Sequence, residues 1–163
     1  MIERKRNVNI AVIDDSIDDA RQLAGFVSTY FSDAHISQKT TIFNTAADFL
    51  NAWHIGVYEL VFIDIFLKGE ASGIRIAEHI RRDDDQCTII FTTSSTDFAL
   101  KGYEVRALDY MLKPLRFGKF CQTMDYFRSV SQRKRSHYIE VKESRIMVKL
   151  PIDDILYTDY SNH

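Results

Sequence analysis

Asp14, Asp15, Asp64, Thr93 and Lys113 each end, or directly follow, a short apolar run of the sequence. Brought together, three carboxylates, a hydroxyl and an ammonium form a distinct chemical set. Clustered carboxylates repel one another and raise each other's pKa unless a cation neutralises them. Their hard oxygens suit Mg²⁺, which is usually held by one or two carboxylates plus water and a phosphate. An aspartate is also a competent nucleophile toward phosphorus, giving an acyl phosphate. Such an attack needs neutralisation of the equatorial oxygens more than it needs a base. Mg²⁺ and Lys113 can supply this from two sides, and Thr93 can donate a hydrogen bond. No residue is diagnostic by itself. Asp14 and Asp15 taken alone serve equally well at the positive N-terminus of a following helix, and Lys113-Pro114 alone reads as a strand-ending turn.

The apolar runs lie at 8–13, 35–43, 60–63, 88–92 and 107–112. Val, Ile and Phe dominate the better ones, and several are continuous rather than alternating, as in strands buried on both faces. Helix-period segments separate them, at 16–30, 45–53, 74–82, 97–103 and 117–130. Ser16 opens the first, with Asp19 three residues on as a variant of the capping box. Five β-α repeats predict an α/β fold with a doubly wound parallel sheet, because parallel strands need crossover helices. Ligands of such sheets bind beyond the carboxyl ends of the strands, where the five side chains fall.

Composition narrows the function classes. Apolar residues make up 45% and charged residues 27%, so a real core is expected. With 21 basic and 23 acidic residues, the net charge of −2 gives no global attraction to nucleic acid. Cys87 and Cys121 match no C-x-x-C pattern and read as reduced thiols. The five histidines share no metal spacing, and no P-loop or dinucleotide fingerprint occurs. The basic start has only a short apolar run, broken by Asn9 and followed by two aspartates, so it is no signal peptide. No stretch approaches a membrane span, and a cytoplasmic location is expected.

The segments AVIDD at 11–15, VFIDIFL at 61–67, IIFTTSSTDFAL at 89–100 and ALDYMLKP at 107–114 resemble CheY-like receiver domains of response regulators. With SGIRIAEHIRR at 72–82, the resemblance points to receivers of the LytTR class, whose sheet is flavodoxin-like and five-stranded. The tail from Tyr138 resembles the start of a LytTR DNA-binding domain, with Asp154–Tyr157 as its most telling element. The implied organisation is a receiver at 1–128, a polar linker at 129–137 and the fragment at 138–163. Antiparallel strands are expected at 138–141 and 146–150, with a third candidate at 152–157.

The resemblance implies that Asp64 is the phosphoacceptor, fed by a sensor histidine kinase. It implies that Asp15 binds Mg²⁺ directly, that Asp14 holds a metal-bound water, and that Asp64 and the Phe66 backbone carbonyl complete the metal site. Thr93 becomes the switch hydroxyl, Lys113 the phosphate-pairing lysine, and Tyr110 the aromatic that changes rotamer. Thr92 stands beside Thr93, and alignment of Ile90, Phe91 and Phe98 favours Thr93 as the one that faces the site. Activation implies a homodimer formed through the surface around 96–112, where Phe98, Leu100, Tyr103 and Val105 serve either as core or as dimer face. DNA is implied only for a complete LytTR domain, and no membrane partner is expected.

The chain departs from many receivers at Lys68, where Pro is common four residues after the acceptor, and at Ser94, a frequent Ala. Two rival readings follow from the same residues. A degenerate receiver would act only as a docking module, which intact Asp64, Asp15 and Lys113 disfavour. A haloacid-dehalogenase-type phosphohydrolase also uses an aspartyl phosphate and Mg²⁺, but requires an acid where this chain has Phe66.

Overall fold

A computed structural model describes residues 7–68, 72–95, 97, 99–136, 138–143 and 146–151. Two compact units, 1–123 and 124–163, are described separately. In the first, β1 (Asn7–Ile13), β2 (Ser37–Phe43), β3 (Leu60–Asp64), β4 (Thr88–Thr93) and β5 (Asp109–Leu112) form one sheet in the order β2-β1-β3-β4-β5. Every neighbouring pair is parallel. Helices α1 (Ile17–Asp33), α2 (Ala46–Ala52), α3 (Ser72–Asp83) and α4 (Ala99–Glu104) supply the crossovers, and α5 (Phe117–Ser136) follows β5. This is the doubly wound flavodoxin-like fold, and the strand order reverses between β1 and β3.

The continuous apolar runs are explained by burial on two sides. All of Leu60–Asp64 is buried. Ile13, Ile63, Ile65 and Phe91 join Phe49 of α2, Trp53 just after it, and Ile74, Ala77 and Ile80 of α3 in one core. Phe62 faces the other way and stacks on Phe120 of α5, their ring centroids 5.9 Å apart. Phe120 in turn meets Phe26 and Tyr30 of α1. The central strands therefore have little freedom to slip, since one residue of slippage would exchange the two apolar sets.

Local chemistry sets the element ends. Helix α1 begins as expected, with the Ser16 hydroxyl accepting from the Asp19 N–H at 3.3 Å. It runs past residue 30 to Asp33 and stops at His35, whose φ of 55° is left-handed. The His35 N–H reaches Ser32 O and the Ile36 N–H reaches Phe31 O, the paired bonds that commonly close a helix. Strand β2 consequently starts at Ser37 rather than at residue 35. Arg106, at φ 51°, likewise delays β5 to Asp109. Arg81 fastens that turn: its guanidinium donates to the carbonyls of Val105, Asp84 and Cys87 at 2.7–2.9 Å.

In the second unit, β6 (Tyr138–Glu143) and β7 (Ile146–Pro151) pair antiparallel. Helix α5, expected to end near residue 130, runs on to Ser136. Gln132, Arg133, Lys134 and Arg135 are good helix formers, so the helix persists after its apolar period has faded. The third candidate strand at 152–157 lies outside the described residues. No helix among the described residues is long and apolar enough to cross a membrane.

Asp109 joins β5 to α5. It accepts hydrogen bonds from the Thr123 hydroxyl and the Tyr110 N–H, and Lys119 Nζ lies 3.0 Å away. Burial alone would raise its pKa, but these three donors together hold it below the ordinary value. A carboxylate depressed by folding stabilises above its unfolded pKa of about 3.9 and loses that contribution as pH falls through the folded value. Asp109→Asn should therefore flatten the stability-versus-pH curve below about pH 4, measured by urea unfolding, and leave its shape near neutrality unchanged.

Candidate functional site

The parallel register brings the expected residues to one edge. Ile13 pairs with Ile63, Asp64 with Thr92, and Thr93 with Leu112, so β1, β3, β4 and β5 end at nearly one level. Lys113, one residue beyond β5, places Nζ 2.7 Å from Asp64 Oδ2 and 2.8 Å from Asp14 Oδ2. Oxygens of Asp14, Asp15 and Asp64 lie within 4.8 Å of one another. Asp14 and Asp64 are 2% and 6% exposed, whereas Asp15 faces solvent.

Each acid is fixed from more than one side. Asp14 Oδ1 accepts from the Ser16 N–H at 2.9 Å, and the Asp14 carbonyl accepts from Asn44. Asp64 Oδ1 accepts from the Phe66 N–H at 3.0 Å. Asp15 Oδ2 accepts from the Lys68 N–H at 2.8 Å, and Lys68 adopts a left-handed φ of 53° to deliver it. Burial pushes the Asp14 pKa up, against the opposing pull of Lys113. Burial alone would lower the Lys113 pKa, but its carboxylate partners outweigh this and raise it, so the ammonium stays charged. Three carboxylates against one lysine leave an excess of negative charge. A set of hard oxygens with one exposed member fits a small divalent cation such as Mg²⁺.

Thr93 ends β4 and Tyr110 lies in β5. Both Thr92 and Thr93 are buried. Thr93 Oγ1 accepts from the Ser95 N–H at 3.3 Å, and a hydroxyl that accepts still has a proton to give. The Tyr110 hydroxyl donates to the Ser95 carbonyl, while the Lys113 N–H donates to the Thr93 carbonyl at 2.8 Å. Ser95 thus ties Thr93 to Tyr110 through its own backbone. Among the expected face residues, Val105 is core and Tyr103 is 87% exposed. Phe98 and the side chain of Leu100 lie outside the described residues.

Sequence reasoning missed three contributors. Asp19 reaches Lys113 Nζ at 2.8 Å instead of closing a capping box. Ser95 links the switch candidates, although nothing in its type marks it. Gly73, in the first turn of α3, lies against the acceptor strand, and its N–H donates to Ile65 O at 3.1 Å. A Cβ there would come within 2.1 Å of the Asp64 carbonyl oxygen and 2.8 Å of Ile65 Cα. Backbone cannot yield as a flexible side chain would. No local signal marks it, since the helix-period segment read from the sequence begins at residue 74. Gly73→Ala should push α3 off the Asp64–Ile65 backbone and cost about 2–3 kcal/mol in denaturant unfolding. Gly25→Ala, where an added Cβ meets nothing within 4 Å, should cost nothing.

The model of the response regulator receiver domain matches residues 10–125. The sensory transduction protein LytT of Bacillus cereus is 31% identical over 101 residues, covering 59% of this chain and 41% of that protein. LytR of Staphylococcus haemolyticus is 41% identical over 68 residues, 42% of this chain and 26% of that protein. The matches to these relatives thus span less than half of their length. Among solved structures, the response regulator DrrB, a Thermotoga maritima OmpR/PhoB homolog, superposes with a TM-score of 0.61 at 25% identity, covering 82% of this chain and 57% of that one. With the family model spanning most of its length and the five-stranded parallel sheet in place, the chain belongs to the response regulator receiver domain family.

Proposed function

We propose that the chain is the phosphoaccepting receiver of a cytoplasmic two-component response regulator, and that Asp64 takes a phosphoryl group from a phosphohistidine on a sensor kinase. The observation that carries this reading is the contact of Lys113 Nζ with both Asp64 and Asp14, with Asp15 close beside them. Asp14, Asp15, Asp64 and the Phe66 carbonyl would hold Mg²⁺, which when bound neutralises charge on the transferring oxygens.

A carboxylate oxygen of Asp64 bonds to phosphorus as the P–N bond to the histidine breaks. The electron pair stays on the imidazole nitrogen, which then takes a proton from water. Lys113, kept charged by its acid partners, turns from the Asp64 carboxylate to a phosphoryl oxygen. Thr93 donates a hydrogen bond from its hydroxyl to another, which reorients the group that accepts from the Ser95 N–H. The Ser95 carbonyl is the acceptor of Tyr110, so the aromatic responds to the same event. The new group brings about −1.5 to −2 charges. The surface around 96–112 then favours pairing of two copies, and in the longer protein this pairing controls an attached LytTR DNA-binding domain.

Incubation with acetyl phosphate and Mg²⁺, read by intact mass, should add one phosphoryl group to the wild type and none to Asp64→Asn. An Asp64→Asn protein that still gains the mass removes Asp64 from the role. Phe66 is bulky and apolar, two residues past the acceptor, and hinders an in-line water. Phe66→Asn should speed phosphate loss by about tenfold, followed as decay of the phosphorylated mass; an unchanged rate rejects the shielding role.

A further inference from the structure

Asp19 is the third residue of α1, the position from which a capping-box side chain returns to the N–H of the capping residue. That return is closed here. The Ser16 N–H is already taken by Asp14 Oδ1 at 2.9 Å. The other half of the box survives, since the Asp19 N–H donates to the Ser16 hydroxyl and fixes the Asp19 backbone. Its carboxylate is left to turn to Lys113 Nζ, at 2.8 Å.

A lysine ammonium has three N–H donors and no acceptor. Here three carboxylates take all three: Asp14 at 2.8 Å, Asp19 at 2.8 Å and Asp64 at 2.7 Å. Asp14 follows β1, Asp19 lies in the first turn of α1, and Asp64 ends β3. We propose that Asp19 is a positioning residue that, with Asp14, tethers two N–H groups of Lys113 and so aims the third at Asp64. This rests on Asp64 being the phosphoacceptor. When Asp64 gains its phosphoryl group, the third N–H exchanges a carboxylate oxygen for a phosphoryl oxygen while the other two bonds stay. A lysine on a flexible stem, held from one side only, would have to find that orientation during the reaction. Asp19 touches neither phosphorus nor, among the described contacts, the acceptor; it acts through Lys113.

Asp18, one residue earlier and exposed, makes a matched control. It shares the favourable first-turn position, so Asp18→Asn loses the same helix-end charge without touching Lys113. The full chain with Asp19→Ala, Asp19→Asn and Asp18→Asn is compared with wild type in three measurements. These are the ¹⁵N–¹H spectrum of lysine ammonium groups, Mg²⁺ binding by calorimetry, and phosphorylation by acetyl phosphate at saturating Mg²⁺.

The wild type should show a slowly exchanging Lys113 ammonium signal. Asp19→Ala should lose it and label about tenfold more slowly, with Tm matching that of Asp18→Asn. Asp19→Asn, which keeps one acceptor oxygen, should fall between. A persistent ammonium signal with unchanged or faster labelling in Asp19→Ala overturns the tether, as does equal slowing in Asp18→Asn. If the wild type binds Mg²⁺ but takes no label, the phosphoacceptor reading fails; the ammonium signal then still decides whether Asp19 holds Lys113.

Discussion

The ammonium of Lys113 is what allows four acids to occupy one end of the sheet. Without it, Asp14, Asp15, Asp19 and Asp64 would face one another across a few ångströms with two of them sealed from water. Such a cluster would either take up protons or move apart. The lysine resolves the conflict only in part, and that matters for chemistry. A site balanced to neutrality would have no pull on a cation and no use for one. This site keeps a negative excess, with Asp15 facing solvent, so it is stable enough to fold and still electrostatically unsatisfied.

Holding the lysine there is a task for the whole sheet. Lys113 comes from beyond β5, Asp64 from β3 and Asp14 from just after β1, and these strands are separated by long stretches of sequence. The parallel ladders set their ends at one level, and the two-sided apolar core prevents a strand from slipping. The close approach of α3 to Asp64 and Ile65, permitted by the missing side chain at Gly73, seats the helix on the acceptor's own backbone. Core packing and site geometry are therefore one constraint. A change that swells the interior near β3 moves the carboxylate that the site is built around.

Much of this can be read from residue types. Continuous Val, Ile and Phe runs reveal doubly buried strands, and residues at their carboxyl ends reveal where a ligand would sit. Asp14, Asp15, Asp64, Thr93 and Lys113 are visible on that basis before any coordinates. Asp19 is not, because a carboxylate at the third position of a helix has a local use that spacing predicts well. Its actual partner lies 94 residues away, and no local pattern reports that the local use has been pre-empted by Asp14. Gly73 is hidden for a related reason, as the atom it must avoid is a carbonyl on another element. The late end of α5 escapes notice because apolar periodicity detects a packed face, while a helix can continue on backbone preference after the face has ended.

Lys68 shows how a substitution can change the mechanics of a loop. Its left-handed φ and its N–H bond to Asp15 are both forbidden to proline, whose ring fixes φ near −65° and removes the donor. Lys68 is therefore moored to the exposed acid by a breakable hydrogen bond, where a ring would have set its course permanently. Anything that draws Asp15 inward slackens that mooring. The exposed acid is in this way linked to the backbone of Lys68, through partners that Ser95 and Tyr110 do not share.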